Sequence, residues 1–491
     1  MEKNLTTGSV GKNLLFFTLP YLLSYFLQTL YGMADLFIVG QFDGVAATTA
    51  VSIGSQVMHM LTVMLVGLAM GTTVTVGQAV GGGDRKKASL AVGNTVTLFM
   101  ALSVGLAALL LILVRPIVGI MSTPTEAVEG TVRYLTVCFI GIPFITAYNI
   151  TSSIFRGLGD SKSPMYFIAA ACVTNIALDY LFMGALHLGP LGAALGTTLS
   201  QAVSVLLSLI VIVKKRLIPI QKSDFKPISS VMSKILGIGV PVALQDGLIQ
   251  VAFIVITIIA NKRGLTDAAA VGIVEKIIGF LFLVPSSLLS AVSALGAQNI
   301  GAGKPERAVR TLWYAIFAAF GFGVVMSVLI QFIADPVVAL FTDKTAADGA
   351  EVIRLGGGYL RGYILDCAFA GIHFCFSGYF CACGKSGLSF LHNITAVVCV
   401  RVPGAYLTSK WFPTTLFPMG LATAAGSLLS VIICVIAYTV IRKKPPKRRP
   451  NRLHIKRRSP VLFRQRSVVL SEFRFLLPVQ AEGICREPST P

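Results

Sequence analysis

The chain has 491 residues, of which 55% are hydrophobic and only 13% are charged. A soluble globular protein carries roughly 25% charged residues, so this composition excludes an ordinary soluble enzyme. The net charge of +20 resembles that of a nucleic-acid-binding protein. Much of the surplus, however, lies in short loops and one basic tail, as expected when cytoplasmic loops are rich in Lys and Arg. We therefore predict an all-α polytopic membrane protein with no nucleic-acid partner.

About twelve apolar runs approach the roughly 20 residues that a membrane-spanning helix needs. Their approximate limits are 14–40, 46–76, 91–117, 131–155, 164–186, 190–213, 233–260, 268–296, 308–334, 355–380, 388–408 and 415–441. The first run has no clear cleavage site and is interpreted as an uncleaved span. Lys and Arg are concentrated in alternate loops, which predicts a multi-pass protein of the plasma (inner) membrane with both termini in the cytoplasm.

The two halves of the chain resemble each other. Residues 77–88, GQAVGGGDRKKA, align with residues 296–308, GAQNIGAGKPERA, and Pro116 matches Pro336 at the same offset. Six spans per half is an even number, so both halves have the same orientation. We expect a pseudo-two-fold axis along the membrane normal, with the substrate path between the halves. The predicted parts are an N-terminal six-helix lobe (1–213), a basic cytoplasmic linker (214–232), a C-terminal six-helix lobe (233–441) and a basic, disordered cytoplasmic tail (442–491).

Polar residues interrupt the apolar run of the fifth span. Asn175 and Asp179 are four residues apart, so they share one face of a helix. An ionised Asp near the middle of a membrane helix costs about 2.5–3.5 kcal/mol, and such a group is expected to pair, to face a cavity or to hold an ion. At 1.5 Å per residue, Asp35 and Thr197 lie at about the same depth in the membrane as Asp179, toward its outer face. Tyr31, one turn before Asp35, is placed to hydrogen-bond to it and is also a candidate substrate or gating contact.

These polar residues suit the binding of a small cation. Two carboxyl groups in one pocket favour reversible proton uptake, because burial and a second acid both disfavour the ionised form. A cluster of Asp, Asn and Thr oxygens would suit Na⁺ equally well. The alternative is that Asp35 and Asp179 only pair with other spans and hold helices together.

The second half has its own candidate substrate or gating contacts inside predicted spans. They are Gln245, Gln250, Glu275, Asp366 and Arg401. For Asp366 and Glu275, structural pairing and substrate contact are equally open. The segment 378–386, GYFCACGKS, departs from a nucleotide-binding P-loop, because it has one residue too many between its glycines and ends a membrane span. With no nucleotide-binding domain, transport driven by an ion gradient remains.

Several motifs, taken together and in order, make the chain resemble the multidrug and toxic compound extrusion (MATE) family. They are Pro20 with YGMADLFIVG in the first span, QAVGGGDRKKA after the second, IFRGLGDSKSPM before the fifth, TNIALDYLF within it, ALGAQNIGAGKPERA after the eighth and VRVPGAYL in the eleventh. The resemblance covers roughly residues 8–441. It implies twelve helices in two lobes around a V-shaped cavity, rocking between inward- and outward-open states. It also implies drug export in exchange for H⁺ or Na⁺, with no cofactor.

Within the family, the chain is more similar to the DinF-like branch. In that branch the ion site lies in the first lobe, at positions that correspond here to Asp35, Asn175 and Asp179, with Thr197 as a fourth ligand. The NorM-like branch also uses an acid on helix seven. This chain has Gln250 near that position, so a site of that type is not expected in the second lobe.

The resulting prediction is a secondary active multidrug efflux antiporter, and not an enzyme. It would act as a monomer and export amphipathic organic cations by alternating access, with drugs and membrane lipid as its partners. One alternative is a lipid-linked oligosaccharide flippase of the same superfamily, for which Arg401 and Lys276 would supply positive charge. Another is a non-transporting membrane scaffold that works through the basic tail.

Overall fold

The computed structural model describes residues 4–215, 219–342 and 348–443. All regular secondary structure in these ranges is helical, which confirms the predicted all-α class. The predicted tail lies outside the described residues, except for its first two positions.

Within the described residues, eleven helices are long and apolar enough to cross a membrane, and there are twelve when a bent pair is counted as one span. The helices are α1 Val10–Phe42, α2 Val45–Gly81, α3 Arg85–Ile120, α4 Thr125–Ile140 with Ile142–Gly157, α5 Lys162–Ala185, α6 Pro190–Lys215, α7 Ser229–Asn261, α8 Leu265–Gly301, α9 Pro305–Ala339, α10 Gly349–Ala382, α11 Ser386–Trp411 and α12 Phe417–Lys443. Each of the twelve predicted spans corresponds to one of these helices.

The helices extend beyond the apolar runs because polar residues form their ends. The helix α3 begins at Arg85, six residues before the predicted span, where the side chain of Asp84 accepts a hydrogen bond from the backbone N–H of Lys87. The Lys87 side chain and backbone lower the pKa of Asp84 below its ordinary value. The carboxylate is therefore ionised at neutral pH, as suits a cap at the positive end of a helix.

The aligned motifs of the two halves form equivalent turns. Gly83, between α2 and α3, and Gly303, between α8 and α9, have φ angles of 72° and 70°. Only glycine adopts this left-handed conformation without a steric penalty. The two turns, with the loops 158–161 and 383–385, lie at one end of the helix bundle. We call this end the basic face, because Lys and Arg residues flank its loops.

Five local irregularities interrupt the helices. The helix α4 bends by 48° at Gly141, and α8 and α10 break at Phe282 and Ile364. A π-helical turn ends α5 at Tyr180–Ala185, and another lies within α11 at Val397–Arg401. Such turns insert an extra residue and change which side chains face a neighbouring helix, and they occur often at functional sites.

Each lobe has its own hydrophobic core away from the basic face. Side chains from α1 to α6 meet in one cluster, which includes Ile38, Tyr134 and Met183. Side chains from α7 to α12 meet in another, which includes Ile256 and Tyr359. The predicted arrangement of two six-helix lobes is thereby confirmed.

At the basic face the cores are shared between the lobes. Phe17 and Tyr21 of α1 pack with Leu295 of α8 and other residues of the second lobe. A smaller cluster joins Val74 of α2 to Ile238 of α7. The two lobes therefore adhere at the basic face.

Candidate functional site

The first lobe contains a cluster of four polar residues, the acid cluster, formed by Asp35, Asn175, Asp179 and Thr197. Asp35 is 3% exposed, and Asn175 and Asp179 are fully buried. The hydroxyl of Thr197 donates a hydrogen bond of 3.1 Å to Oδ2 of Asp35. The side chains of Asp179 and Asn175 lie beside the Asp35 carboxyl group but form no hydrogen bond with it. Three helices, α1, α5 and α6, thus bring together the four residues that the sequence singled out.

A glycine on α6 makes room for the acid cluster. A Cβ atom placed on Gly196 would lie 2.1 Å from Oδ1 of Asp179 and 3.5 Å from the amide nitrogen of Asn175. Any side chain at this position would therefore displace the Asp179 carboxyl group. The sequence analysis missed Gly196, although its position directly before Thr197 was a signal.

The acid cluster has hydrogen-bonding capacity that the protein does not use. Oδ1 of Asp35, both carboxylate oxygens of Asp179 and both amide atoms of Asn175 are buried without a partner. Among the described ion pairs, none involves Asp35 or Asp179. An unpaired buried polar group costs about 1–3 kcal/mol, and more when it is charged. The arrangement can therefore accept positive charge, either as a proton or as a small cation with oxygen ligands.

Tyr31 does not hydrogen-bond to Asp35 as predicted. Its hydroxyl instead lies 3.5 Å from the amide nitrogen of Gln201 on α6. The one-turn spacing correctly places Tyr31 on the same side of α1 as Asp35, but the hydroxyl meets a neighbouring helix first.

In the second lobe, Asp366 and Arg401 line a common cavity. Asp366 is fully buried, and its Oδ2 lies 3.4 Å from Nη2 of Arg401. The same guanidinium nitrogen donates a 2.6 Å hydrogen bond to the hydroxyl of Tyr363. Arg401 is the last residue of the π-helical turn in α11. These two predicted residues are therefore adjacent, whereas Tyr363 was not expected.

The other predicted residues of the second lobe lie outside this cavity wall. Glu275 accepts a 3.2 Å hydrogen bond from Thr257. Gln245 accepts one of 2.5 Å from Ser389, which joins α7 to α11. Gln250 makes no side-chain hydrogen bond within the described part of the chain. Gln245 therefore connects α7 to α11, and its predicted contact with substrate stays a prediction.

A pair of glutamines joins the lobes at the basic face. Nε2 of Gln78 on α2 donates a 2.8 Å hydrogen bond to the carbonyl of Ala382, the last residue of α10. Nε2 of Gln298 on α8 donates one of 2.8 Å to the carbonyl of Gly157, the last residue of α4. The last carbonyls of a helix have no partner within it, and each lobe thus supplies a donor to a helix end of the other.

Glycines allow the two glutamine-bearing helices to touch. A Cβ atom on Gly81 would lie 1.9 Å from the carbonyl oxygen of Gln298, and one on Gly301 would lie 2.1 Å from that of Gln78. We call these four residues the interlobe seal. They occupy matching positions of the repeated motif, but the sequence analysis used them only to align the halves.

Sequence comparison identifies the family. The family model described as MatE matches residues 20–181 and 241–407, more than half of the chain. The chain belongs to the MATE family. It is therefore a multi-pass membrane transporter and not an enzyme.

Relatives and solved structures of MATE proteins agree with this assignment. "Probable multidrug resistance protein YpnP" of Bacillus subtilis is 28% identical over 442 residues, which are 90% of this chain and 98% of that protein. The "FAD transporter" of Shewanella oneidensis is 25% identical over 414 residues, covering 82% and 89% of the two chains. The crystal structure of MATE in complex with MaL6 superposes with a TM-score of 0.84 over 90% of this chain and all of that one, at 22% identity. This last likeness concerns the fold alone.

Proposed function

We propose that this MATE protein is a secondary active multidrug antiporter, which exports amphipathic organic cations in exchange for H⁺ or Na⁺. The observation that carries the proposal is the acid cluster, a buried pair of carboxyl groups with unpaired oxygens and no counter-ion among the described residues. Several relatives are named multidrug resistance or multidrug export proteins, which supports drugs as the substrates. The similarity to the DinF-like branch remains a prediction.

Exchange requires that the ion and the drug favour different states of the protein, since a ligand with equal affinity for both states shifts neither. The helix α1 is suited to connect the ion site to the lobe interface. It carries Asp35 near one end, and near the other end its Phe17 and Tyr21 pack against the second lobe. Between them, the hydroxyl of Tyr25 lies 3.0 Å from that of Ser290 on α8. Ion binding that moves α1 would therefore change the contacts between the lobes.

Alternating access would require the interlobe seal to open and close. We place the basic face and both termini in the cytoplasm of a cell with the protein in its inner membrane, following the distribution of Lys and Arg. The separate cores at the opposite face and the shared cores at the basic face then correspond to a state that is closed to the cytoplasm. This state would release drug outward and take up the ion.

The flippase alternative receives less support. A pyrophosphate-binding path would need several cations, but the charged lining of the second-lobe cavity is one Arg and one Asp in contact with each other. The scaffold alternative depends on the tail, which lies outside the described residues.

The test is transport by purified protein in liposomes loaded with ethidium. A pH gradient and a Na⁺ gradient are imposed separately on the parent, on Asp35→Asn and on Glu126→Gln, a control at an exposed acid outside the cluster. We expect one gradient to drive ethidium movement in the parent and the control, and the Asp35→Asn variant to lose it. No movement under either gradient, or full movement in Asp35→Asn, would contradict ion coupling at this site.

A further inference from the structure

The cavity of the second lobe is small and mixed in character. It has a volume of about 50 Å³, enough for a few water molecules or one small polar group. It cannot enclose a whole drug molecule. Its lining includes three aromatic rings, Phe253, Phe282 and Phe374, and the polar side chains of Asp366, His373, Asn393, Arg401 and Ser427. The cavity therefore suits the head group of an amphiphile whose apolar body lies against the aromatic rings.

Arg401 offers unused donors to this cavity. Its side chain is 11% exposed, and within the described residues only Nη2 has hydrogen-bond partners. The Nε–H group is buried and unpaired. The guanidinium group is planar and carries five N–H donors, a geometry that matches the oxygens of a carboxylate or a phosphate. The donors of Arg401 are thus incompletely satisfied by the protein.

The neighbouring acidic side chains form only a weak ion pair with Arg401. Oδ2 of Asp366 is 3.4 Å away, at the nitrogen that already donates to Tyr363 at 2.6 Å. Glu275 also acts on Arg401 electrostatically, but its carboxylate accepts a hydrogen bond from Thr257. A ligand oxyanion that reaches Nε or Nη1 would therefore compete with one long ion pair and would not have to break a short one.

The two lobes place opposite charges on equivalent helices. The helices α5 and α11 are the fifth of their respective repeats, and each contains a π-helical turn beside its ionisable residue. In α5 this residue is Asp179, which directly precedes the turn, and in α11 it is Arg401, which ends the turn. The acid cluster can accept positive charge, whereas the second-lobe cavity presents the unpaired Nε–H of Arg401 beside the unpaired Oδ1 of Asp366.

We infer that the second-lobe cavity is a binding site for the carboxylate or phosphate group of an aromatic amphiphile, with Arg401 as its anchor and Asp366 as the counter-ion that the ligand displaces. This site goes beyond the proposed function, because it admits acidic amphiphiles in addition to organic cations. It stands apart from ion coupling, since the acid cluster lies in the other lobe.

The test is direct binding to purified protein in detergent, without any gradient. The probes share one ring system and differ in the head group: 1-naphthylacetate, 1-naphthyl phosphate, 1-naphthaleneacetamide and 1-naphthylethylamine. Affinities are measured by calorimetry for the parent, Arg401→Gln, Arg401→Lys and Asp366→Asn. The control is Arg361→Gln, which removes an arginine of the same lobe that pairs with Asp335 at 2.8 Å outside the cavity. Thermal unfolding checks that each variant is folded.

We expect the acidic probes to bind the parent more tightly than the amide and the amine. Arg401→Gln should weaken the binding of the acidic probes by about tenfold or more, because it removes a charged hydrogen-bond donor. Arg401→Lys should bind the acidic probes more tightly than Arg401→Gln but less tightly than the parent. Asp366→Asn should bind them more tightly than the parent, because it removes the carboxylate that competes for Arg401. The affinities of 1-naphthylacetate and 1-naphthyl phosphate show whether the site prefers a carboxylate or a phosphate.

The reverse pattern would overturn the inference. Tighter binding of the amine, with a loss in Asp366→Asn, would make the cavity a cation site. Equal effects of Arg401→Gln and Arg361→Gln would show that Arg401 acts only through general charge. If Arg401→Gln does not fold, the opposite changes expected for Arg401→Lys and Asp366→Asn still decide the question. Asp35→Asn should bind the acids like the parent, so failure of ion coupling and failure of this site are distinguishable.

Discussion

Asp179 and Gly196 show how the acid cluster depends on the distance between two helices. A carboxylate oxygen of Asp179 occupies the space that a side chain at position 196 would fill. The position is inside α6, where glycine is about 0.5–1 kcal/mol less stable than alanine. Helix stability therefore does not explain this glycine, but the space required by the buried acid does.

Replacing this glycine should disable the proposed ion site without removing any residue of the acid cluster. We expect Gly196→Ala to reduce gradient-driven ethidium transport by about tenfold or more, because a Cβ at 2.1 Å from Oδ1 must displace the Asp179 carboxyl group. The measurement is the liposome assay, with Gly105→Ala as the control, since a Cβ there has no heavy atom within 4 Å. Full transport by Gly196→Ala would show that the position of the Asp179 oxygen is not critical.

The residues of the acid cluster were predictable from the sequence, but their surroundings were not. Asp35, Asn175 and Asp179 stand out because charged and amide groups are expensive in membrane helices, and helical spacing places the last two on one face. Gly196 and the partner of Tyr31 depend on how closely α1, α5 and α6 approach, which no pattern within a single helix contains.

At the scale of the elements, apolar length predicts all twelve spans, because a bilayer sets the length of a crossing helix. The length of an apolar run does not predict the bend at Gly141 or the π-helical turn Val397–Arg401. Such features change the backbone hydrogen bonds of a span and leave its apolar composition as it is. Arg401 ends such a turn and lies next to Asp366 of α10, and no pattern within either helix predicts this adjacency.

The crossing of α2 and α8 should be sensitive to a single methyl group. In Gly301→Ala the new Cβ would lie 2.1 Å from a backbone oxygen, that of Gln78, so the two helices must separate. We expect a longer distance between spin labels at the exposed positions Lys86 and Glu306, measured by double electron–electron resonance in a background without reactive cysteines. The control is Gly321→Ala in α9, where a Cβ has open space. An unchanged distance in Gly301→Ala would mean that the crossing relaxes without opening.

For the whole molecule, the repeated motif predicts two equivalent lobes but not the contact between them. An alignment shows that Gln78 and Gln298 match, and it cannot show that each bonds to a helix end of the opposite lobe. The seal follows from the pseudo-two-fold relation, because a contact made by one motif is repeated by the other. Two similar bonds therefore stabilise the closed state at the basic face, in addition to the shared cores.

Each of the two glutamine bonds should stabilise the closed state at the basic face. A hydrogen bond contributes about 0.5–1.5 kcal/mol net. Gln78→Leu and Gln298→Leu should therefore each raise the ratio of separated to closed molecules by roughly two- to tenfold. This ratio is measured from the distance distribution between spin labels at Lys86 and Glu306. The two variants should have effects of similar size, because Gln298 is 1% exposed, whereas Gln78 is half-buried but also accepts a bond from Lys234 of the second lobe. The double variant should shift the population by about the product of the single effects, since one opening step breaks both bonds and their free energies then add. No shift in either single variant would mean that the packing of Gly81 against Gly301 holds the lobes together without these bonds.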